Sequence, residues 1–194
     1  MLAATQGPER TLLYSSASVP RAGVRKNTMG FANDTMLASD EDHFVPINEF
    51  GDQHVVTVAA LVREGDETRL SWSESKVVLS SGTGGGSGPN PMVYVETEDG
   101  VRVAATSDQP FVLADGRVEI AQKLAAGVQL MRSSGDPVAI ASIEFGPFDG
   151  GVHAIAATAL ASPSLDGHLI NVAGLVVGDY VIQMNVLRGQ VPTG

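Results

Sequence analysis

Short runs of alternating hydrophobic and polar residues, rich in β-branched side chains, follow one another along most of this chain. Gly, Asp, Asn and Pro separate these runs, as they do between β-strands. The pattern predicts strands over residues 54–63, 69–79, 92–96, 101–105, 111–113 and 138–144. Because many short runs follow one another at a spacing of roughly 8 to 12 residues, it indicates an all-β fold rather than alternating strands and helices.

One segment has helical periodicity, with apolar residues at positions 118, 120, 121, 124 and 125. This spacing predicts a short amphipathic helix over residues 118–126, ending before Gly127. The chain is then predicted to return to strands, the last of them within the apolar residues 167–183. The expected fold class is therefore all-β, with at most one or two short helical turns.

The two ends of the chain differ from its centre. Residues 1–29 lack a sustained period and contain Pro, Gly and a Ser-rich run, which predicts an extended arm or linker. Residues 30–183 are the expected β domain, and residues 184–194 are a C-terminal tail. Within the domain, the Gly/Ser-rich residues 80–91 predict a flexible loop. They do not match a phosphate-binding loop, since Pro89, Pro91 and a strand follow the glycines.

Charge is unevenly distributed along the chain. The sequence has 12 basic and 22 acidic residues, for a net charge of −10. The arm, residues 1–29, holds four of the basic residues and one acidic residue, Glu9, so residues 30–194 carry 8 basic and 21 acidic residues, or −13. An acidic body repels phosphates, so no nucleic-acid partner is expected.

Other features of composition exclude further classes of protein. The chain has no cysteine, which excludes disulfides and thiolate chemistry. Its apolar runs are shorter than the roughly 18 residues of a spanning helix, and residues 2–4 are too short an apolar patch for a signal peptide. No membrane span is expected, and a cytoplasmic location is the default.

Three segments, in order, together resemble the Hint superfamily, the self-processing β-fold of inteins and hedgehog C-terminal domains. The first is Gly-Phe-Ala-Asn-Asp-Thr-Met-Leu at 30–37 followed by Phe-Val-Pro-Ile at 44–47. The second runs from Val101 through Thr-Ser-Asp-Gln-Pro at 106–110 to Leu130. The third covers 151–155 and 169–179. The resemblance implies a Hint-like horseshoe of short twisted strands whose two ends meet.

The resemblance also implies where the family's reaction would occur, and there this sequence departs from it. Hint processing starts with a Cys or Ser at the position of Gly30, which has no nucleophile. Thr28 and Thr35 carry hydroxyls, but Thr35 matches a Thr that the family has five positions after its nucleophile. In the family's Thr-x-x-His motif, Thr106 is kept and Gln109 replaces the His. Gln forms hydrogen bonds but is neither an acid nor a base near neutral pH, so the general acid is missing.

The third segment departs in the same way. Inteins end in His-Asn, and the Asn cyclises to release the downstream chain, whereas Gly178 and Asp179 stand there in this sequence. The Asp often found early in this block is replaced by Ala154. Together the four changes predict a domain that has kept the fold without the reaction. Catalytic residues are therefore not assigned, although the family's active-site positions are Gly30, Thr106, Gln109, Gly178 and Asp179.

Three further residues are candidates for polar chemistry. His153 and His168 lie in the closing segment, and either is able to approach the other or Asp108 in space; bonding of both histidines to backbone carbonyls is the simpler interpretation. His43 follows three acidic residues, but their spacing is that of a solvated turn and not of a cation site. The Gly-Gly-Gly-Ser-Gly at 84–88 matches a hydrolase elbow in letters only. No metal or cofactor is expected.

Two functions remain from the sequence. The favoured one is a non-catalytic Hint-like structural or protein-interaction module, which contacts a protein partner through its basic arm or an exposed strand edge. The alternative is an autoprocessing domain with altered residues, which cuts near residues 28–30, through Thr28 or an activated water, or at Asp179. An engineered inactive variant is also compatible with one sequence. The oligomeric state is not predicted.

Overall fold

The computed structural model describes residues 29–40, 43–64, 67–84, 89–158 and 164–191. These described residues form fifteen strands, one α-helix and two 3₁₀ turns. The strands are β1 (Phe31–Ala32), β2 (Met36–Ala38), β3 (Phe44–Pro46), β4 (Val55–Glu64), β5 (Glu67–Lys76), β6 (Leu79–Gly82), β7 (Asn90–Thr97), β8 (Arg102–Ala105), β9 (Pro110–Val112), β10 (Val118–Ile120), β11 (Gln129–Met131), β12 (Pro137–Phe148), β13 (Val152–Ala156), β14 (Leu169–Val172) and β15 (Leu175–Gly178). The helix is α1 (Tyr180–Leu187), and the 3₁₀ turns are Ile47–Glu49 and Ala121–Lys123.

The prediction of an all-β fold is confirmed. Each of the six predicted strand segments contains a strand, although the segment 69–79 is divided between β5 and β6. The break falls at Val77, whose N–H donates to the His54 carbonyl and whose own carbonyl accepts from Gln53. None of the described helices is long and apolar enough to cross a membrane.

Two antiparallel sheets carry the fold. The first has the strand order β11-β12-β7-β8-β1-β13-β6, and the second has the order β10-β9-β15-β14-β2-β3. The long hairpin of β4 and β5 joins the second sheet, where β4 pairs with β14. Strands distant in sequence are therefore neighbours, and the first strand of the domain lies between β8 and β13.

The main core lies where apolar side chains of the two sheets meet. Phe31 of β1 and Phe111 of β9 pack edge to face, with ring centroids 6.5 Å apart, and both rings are fully buried. Leu37, Val93 and Ile155 belong to the same cluster. Such aromatic pairs add to the stabilisation from burial. This contact fixes β1, the start of the domain, beside the Thr106–Gly116 segment.

The predicted helix over residues 118–126 is wrong. Residues 118–120 instead form β10 and pair with β9, so that Val118 lies opposite Val112. The Asp-Gly turn at Gly116, where φ is +81°, returns the chain as a hairpin. Only Ala121–Lys123 forms a helical turn, and it is a 3₁₀ turn. Strand pairing with a neighbour therefore outweighed the local helical period.

The predicted strand end over residues 180–183 is also wrong. β15 ends at Gly178, and α1 begins immediately afterwards, with Asp179 as its N-cap. Val181 and Ile182 of this helix are buried in the domain. The helix spans the predicted boundary between residues 183 and 184. The predicted loop over residues 80–91 is too long, because residues 80–82 belong to β6 and residues 90–91 to β7. Residues 85–88 and the arm up to residue 28 lie outside the described residues.

Candidate functional site

The N-terminal junction of the domain consists of Gly30 and Thr106. The Gly30 N–H donates to Thr106 Oγ1 at 3.2 Å, and the Thr106 N–H donates to the Gly30 carbonyl at 2.8 Å. The Thr106 side chain is buried. The structure therefore brings together the head of the first segment and the Thr of the second. Thr28 lies outside the described residues.

Gly30 occupies a position that has no room for a side chain. Its φ is +107°, in the region that favours glycine. A Cβ built there would lie 2.1 Å from the His153 carbonyl oxygen and 2.9 Å from the Cβ of Ala154. The contact with His153 is with backbone of the paired strand β13, which rotation of a side chain cannot relieve. A serine or cysteine at residue 30 therefore requires the backbone to move.

Gln109 joins the second segment to the third. Its N–H donates to the Thr106 carbonyl at 3.0 Å, which closes the Thr-x-x-Gln turn. Its side-chain Nε2 donates to the Gly178 carbonyl at 2.7 Å and to the Pro110 carbonyl at 3.3 Å. The side chain is buried. Gln109 thus holds the end of β15 through a neutral amide, which donates hydrogen bonds but does not act as an acid.

Asp179 is buried, and both of its carboxylate oxygens are occupied. Oδ1 accepts from the N–H groups of Val181 at 2.9 Å and Ile182 at 3.2 Å, which caps helix α1. Oδ2 accepts from the Ala157 N–H at 3.0 Å and lies 3.0 Å from His168 Nδ1. The carboxylate is therefore a structural acceptor for two elements, α1 and the end of β13.

Asp179 and His168 together form what we call the C-terminal junction, and His168 is its second buried polar residue. Besides its contact with Asp179, its Nε2 lies 2.9 Å from the Thr158 hydroxyl. Its carbonyl accepts from the Asp179 N–H at 2.9 Å, so the two residues are joined through backbone and side chain. His168 therefore contacts Asp179, and neither of the partners that the sequence left open, His153 and Asp108.

Gln183 is a site residue that the sequence interpretation missed. It lies in the first turn and a half of α1, and its Nε2 donates to Thr106 Oγ1 and to Asp108 Oδ1, at 3.0 Å each. Its Oε1 is buried and has no hydrogen-bond partner among the described residues. The side chain links the C-terminal helix to the N-terminal junction. Recognising Asp179 as a helix cap would have indicated a buried turn here.

His153 lies apart from this polar cluster. Its backbone carbonyl faces Gly30, but its ring points to Ser80, with Nε2 and the Ser80 hydroxyl oxygen 2.8 Å apart. Burial lowers the pKa of His153 below its ordinary value of 6.5. The ring lies over Gly82, where an added Cβ would come within 2.2 Å of Nδ1. His153 is thus a packed core-edge residue and not a partner of Asp179 in this structure.

The remaining candidates lie elsewhere. The His43 side chain is exposed, and two of its acidic neighbours, residues 41 and 42, are outside the described residues. Within the described part of the chain, no group of three or more His, Asp or Glu side chains is arranged to hold a metal ion. Thr35 lies in the turn between β1 and β2, where its carbonyl accepts from the Ile47 N–H.

Comparison with solved structures identifies the architecture. No family model matches the sequence, and no curated protein matches it. The solution structure of a bacterial intein-like domain from Clostridium thermocellum superposes with a TM-score of 0.60 at 19% identity, covering 78% of this chain and 98% of that domain. The protein has a Hint fold. A crystal structure of the Ssp DnaB mini-intein variant M86 gives a TM-score of 0.59 at 15% identity, covering 79% and 96%. The PabCDC21-1 intein gives 0.58 at 16%, covering 78% and 98%.

The Hint fold confirms the predicted horseshoe. Gly30, Thr106, Gln109, Gly178 and Asp179 form one connected network, at the point where the two ends of the domain meet. The hydrogen-bonding groups of this network are amides, a hydroxyl and the carboxylate that caps helix α1. Of the titratable side chains that reach it, Asp179 and His168 contact each other and Asp108 contacts Gln183.

Proposed function

We propose that this chain is a non-catalytic Hint-like module that serves as a structural or protein-interaction domain. One observation carries the proposal: Gly30, at the position of the family's nucleophile, is held where a Cβ would lie 2.1 Å from a backbone oxygen. A missing hydroxyl or thiol is therefore not the only loss. The backbone conformation itself excludes any nucleophilic side chain at this position.

The geometry at Gln109 supports the same proposal. A general acid must give a proton to the leaving amine, and the Gln109 amide cannot do so. Its Nε2 is already committed to the Gly178 carbonyl at 2.7 Å. Asp179, at the position of the cyclising Asn, is likewise committed through both oxygens. Each replacement contributes hydrogen bonds that hold the fold.

A free strand edge supports an interaction role. β11 pairs with β12 only over the first three residues of β12 (Pro137, Val138 and Ala139), so that beyond Ile140 the outer edge of β12 has no paired strand among the described residues. Unpaired edges accept an additional strand through backbone hydrogen bonds. Partners reach this module through that edge or through the basic arm.

The alternative function is autoprocessing with altered residues, near residues 28–30 or at Asp179. One observation favours it: His168 Nδ1 lies 3.0 Å from Asp179 Oδ2, so a buried imidazole remains at the junction where inteins release their downstream segment. Cleavage at Asp179 would then use its own carboxylate, and cleavage near residue 30 would use Thr28 or a water.

Intact mass distinguishes the two functions. Purified full chain is incubated for several days over a range of pH values, with and without hydroxylamine or a thiol, which cleave ester and thioester intermediates. The expected result is full-length mass throughout. Discrete fragments that end near Met29 or Asp179 would establish autoprocessing and overturn the proposal.

A matched pair of variants makes the same experiment sharper. Gln109→His installs an imidazole where the family has its acid, and Gln109→Asn keeps an amide there. Both variants are expected to stay intact, because residue 30 still provides no nucleophile. Cleavage of Gln109→His alone would show that the rest of the site is catalytically competent, contrary to the proposal.

A further inference from the structure

An apolar groove lies on the first sheet, next to the polar cluster that contains Thr106. Its cavity volume is about 350 Å³, and its walls come mainly from β7, β12 and the turn after β8. We call it the Phe145 groove, after the side chain that is 66% exposed at its wall; the other main lining residues are Pro91, Met92, Val93, Ser107 and Pro147. A large exposed aromatic in an apolar depression indicates a surface that another segment covers.

The groove continues a row of core side chains. Phe31, Ala105, Val93 and Phe145 are directly paired across four neighbouring strands. Directly paired residues of antiparallel strands have side chains on the same face. Phe31, Ala105 and Val93 are buried in the main core, whereas Phe145 extends the row beyond it. The groove is therefore an uncovered continuation of the core.

The arm enters the domain at the same end of the sheet. β1 is antiparallel to β8, and β8 is antiparallel to β7. Going backwards from Phe31 to Met29 thus leads in the direction of Thr106 to Ser107, and Ser107 is at the groove. Strands are spaced about 4.8 Å apart, which places β7 about 10 Å and β12 about 15 Å from Gly30. Six residues of extended chain reach roughly 20 Å, so Val24 is within reach of the whole groove.

The chemistry of the arm matches this surface. Residues 19–26 read Val-Pro-Arg-Ala-Gly-Val-Arg-Lys, which combines apolar side chains with three of the arm's four basic residues. The rest of the chain carries a charge of −13, from 8 basic and 21 acidic residues. A basic segment is therefore attracted to the acidic domain, and its apolar side chains match the apolar lining of the groove.

We propose that residues 19–26 of the same chain dock into the Phe145 groove, with apolar side chains against Phe145 and basic side chains towards the surface of the acidic domain. This inference rests on the proposed function only in that the arm must stay attached to the domain.

Paramagnetic broadening tests the docking in the full chain. Because the sequence has no cysteine, Ala22→Cys gives a single site for a nitroxide label, and Ala4→Cys places the same label far along the arm as a control. The label at residue 22 is expected to broaden the amide signals of Met92, Val93, Phe145 and Gly146 strongly, and the label at residue 4 to broaden them much less. High salt should reduce the effect by screening the charges.

A second pair of variants tests the apolar contact. Phe145→Ser is expected to abolish the broadening and to raise the rate of trypsin cleavage after Arg21 and Arg25 about tenfold, since burial of one aromatic side chain is lost. Val62→Ser, at another exposed apolar residue, should leave both unchanged. Broadening that survives Phe145→Ser, or that stays confined to residues beside Gly30, would overturn the proposal.

Two further outcomes are distinguishable from docking within one chain. Broadening that appears only when spin-labelled chain is mixed with isotope-labelled chain would show that a second copy fills the groove, contrary to the proposal. Loss of the arm by cleavage near residues 28–30 would appear in the intact mass before any spectrum is recorded. That result would contradict the proposed function, whereas broadening in a sample of intact mass reports on the groove alone.

Discussion

The N-terminal and C-terminal junctions of this Hint fold differ in what holds them together. At the N-terminal junction, Gly30 leaves no space for a side chain, because the backbone of β13 lies where a Cβ would be. At the C-terminal junction the polar groups remain, but Asp179 is a helix cap and is bonded to Ala157. At the first junction no side chain fits at residue 30. At the second, the carboxylate oxygens already accept hydrogen bonds from the protein.

This difference indicates how each junction responds to substitution. Any side chain added at Gly30 meets the backbone of β13, whatever its chemistry. At Asp179, by contrast, the hydrogen bonds depend on which acceptor atoms the side chain provides. Gln183 couples the two, since it extends from α1 to the Thr106 hydroxyl that also accepts from Gly30. Substitutions at the three positions therefore test the comparison.

The largest effect is expected for Gly30→Ser. The new side chain meets a backbone oxygen in a positive-φ conformation, so the free energy of unfolding should fall by about 4 kcal/mol. Gly100→Ser is the matched control, because Gly100 also has positive φ, +86°, but an added Cβ there meets no atom within 4 Å. Urea unfolding should show a loss of only about 1–2 kcal/mol for the control. Equal losses would mean that conformation, and not closeness to His153, closes this junction.

Asp179→Ala is expected to have the next largest effect. It removes the cap of α1 and leaves the Ala157 N–H without its acceptor in the interior, which should cost about 3 kcal/mol in the free energy of unfolding. Asp166→Ala, at an exposed aspartate, serves as the control and should change stability by no more than about 0.5 kcal/mol. A similar small loss for both would contradict the structural role of Asp179.

Gln183→Met should have a smaller effect, about 1 kcal/mol. The change removes two hydrogen bonds, but it also removes the buried Oε1 that has no partner, and the side-chain volume is similar. Gln183→Glu should destabilise more, because it places a second carboxylate beside Asp108. If chemical denaturation ranks these two variants in the opposite order, the coupling between the junctions is not the one described.

The smallest effect concerns pH. Burial lowers the pKa of His153 in the folded state below 6.5, so the unfolded chain binds the proton more readily and stability contributed by neutral His153 is lost as pH falls from above 6.5 through the folded pKa. His153→Gln should make the free energy of unfolding less dependent on pH in this window. His43→Gln, at an exposed histidine, should not. An unchanged pH profile for His153→Gln would contradict the burial effect.

Much of the architecture was predictable from the sequence. The β-branched runs identified the strands, and three short segments in order indicated a Hint-like horseshoe, because strand pattern and turn residues are local signals. Helix α1 was missed because further apolar residues follow at Val181, soon after the apolar run from Leu175 to Val177. The two were interpreted together as strand. Asp179 was interpreted as a changed catalytic residue, although an Asp before an apolar segment is also a capping signal.

The family resemblance indicated which residues lie close together, but not the contacts that they make. The same five positions that the family resemblance indicated lie together, but their roles depend on three-dimensional contacts that no spacing reveals. That Gly30 has no room for a side chain follows from the approach of His153, which is 123 residues away by sequence number. The Gln183 contact likewise depends on the orientation of a helix that the local pattern did not predict.

The hydrogen bonds of the polar cluster affect the rates of folding and unfolding. The bonds Gly30 to Thr106, Gln109 to Gly178 and Gln183 to Thr106 close loops of 76, 69 and 77 residues. Contacts between such distant segments carry a large loop-closure entropy, so they form after the local hairpins. Substitutions in the cluster are therefore expected to speed unfolding more than they slow folding, and the network sets the lifetime of the folded state.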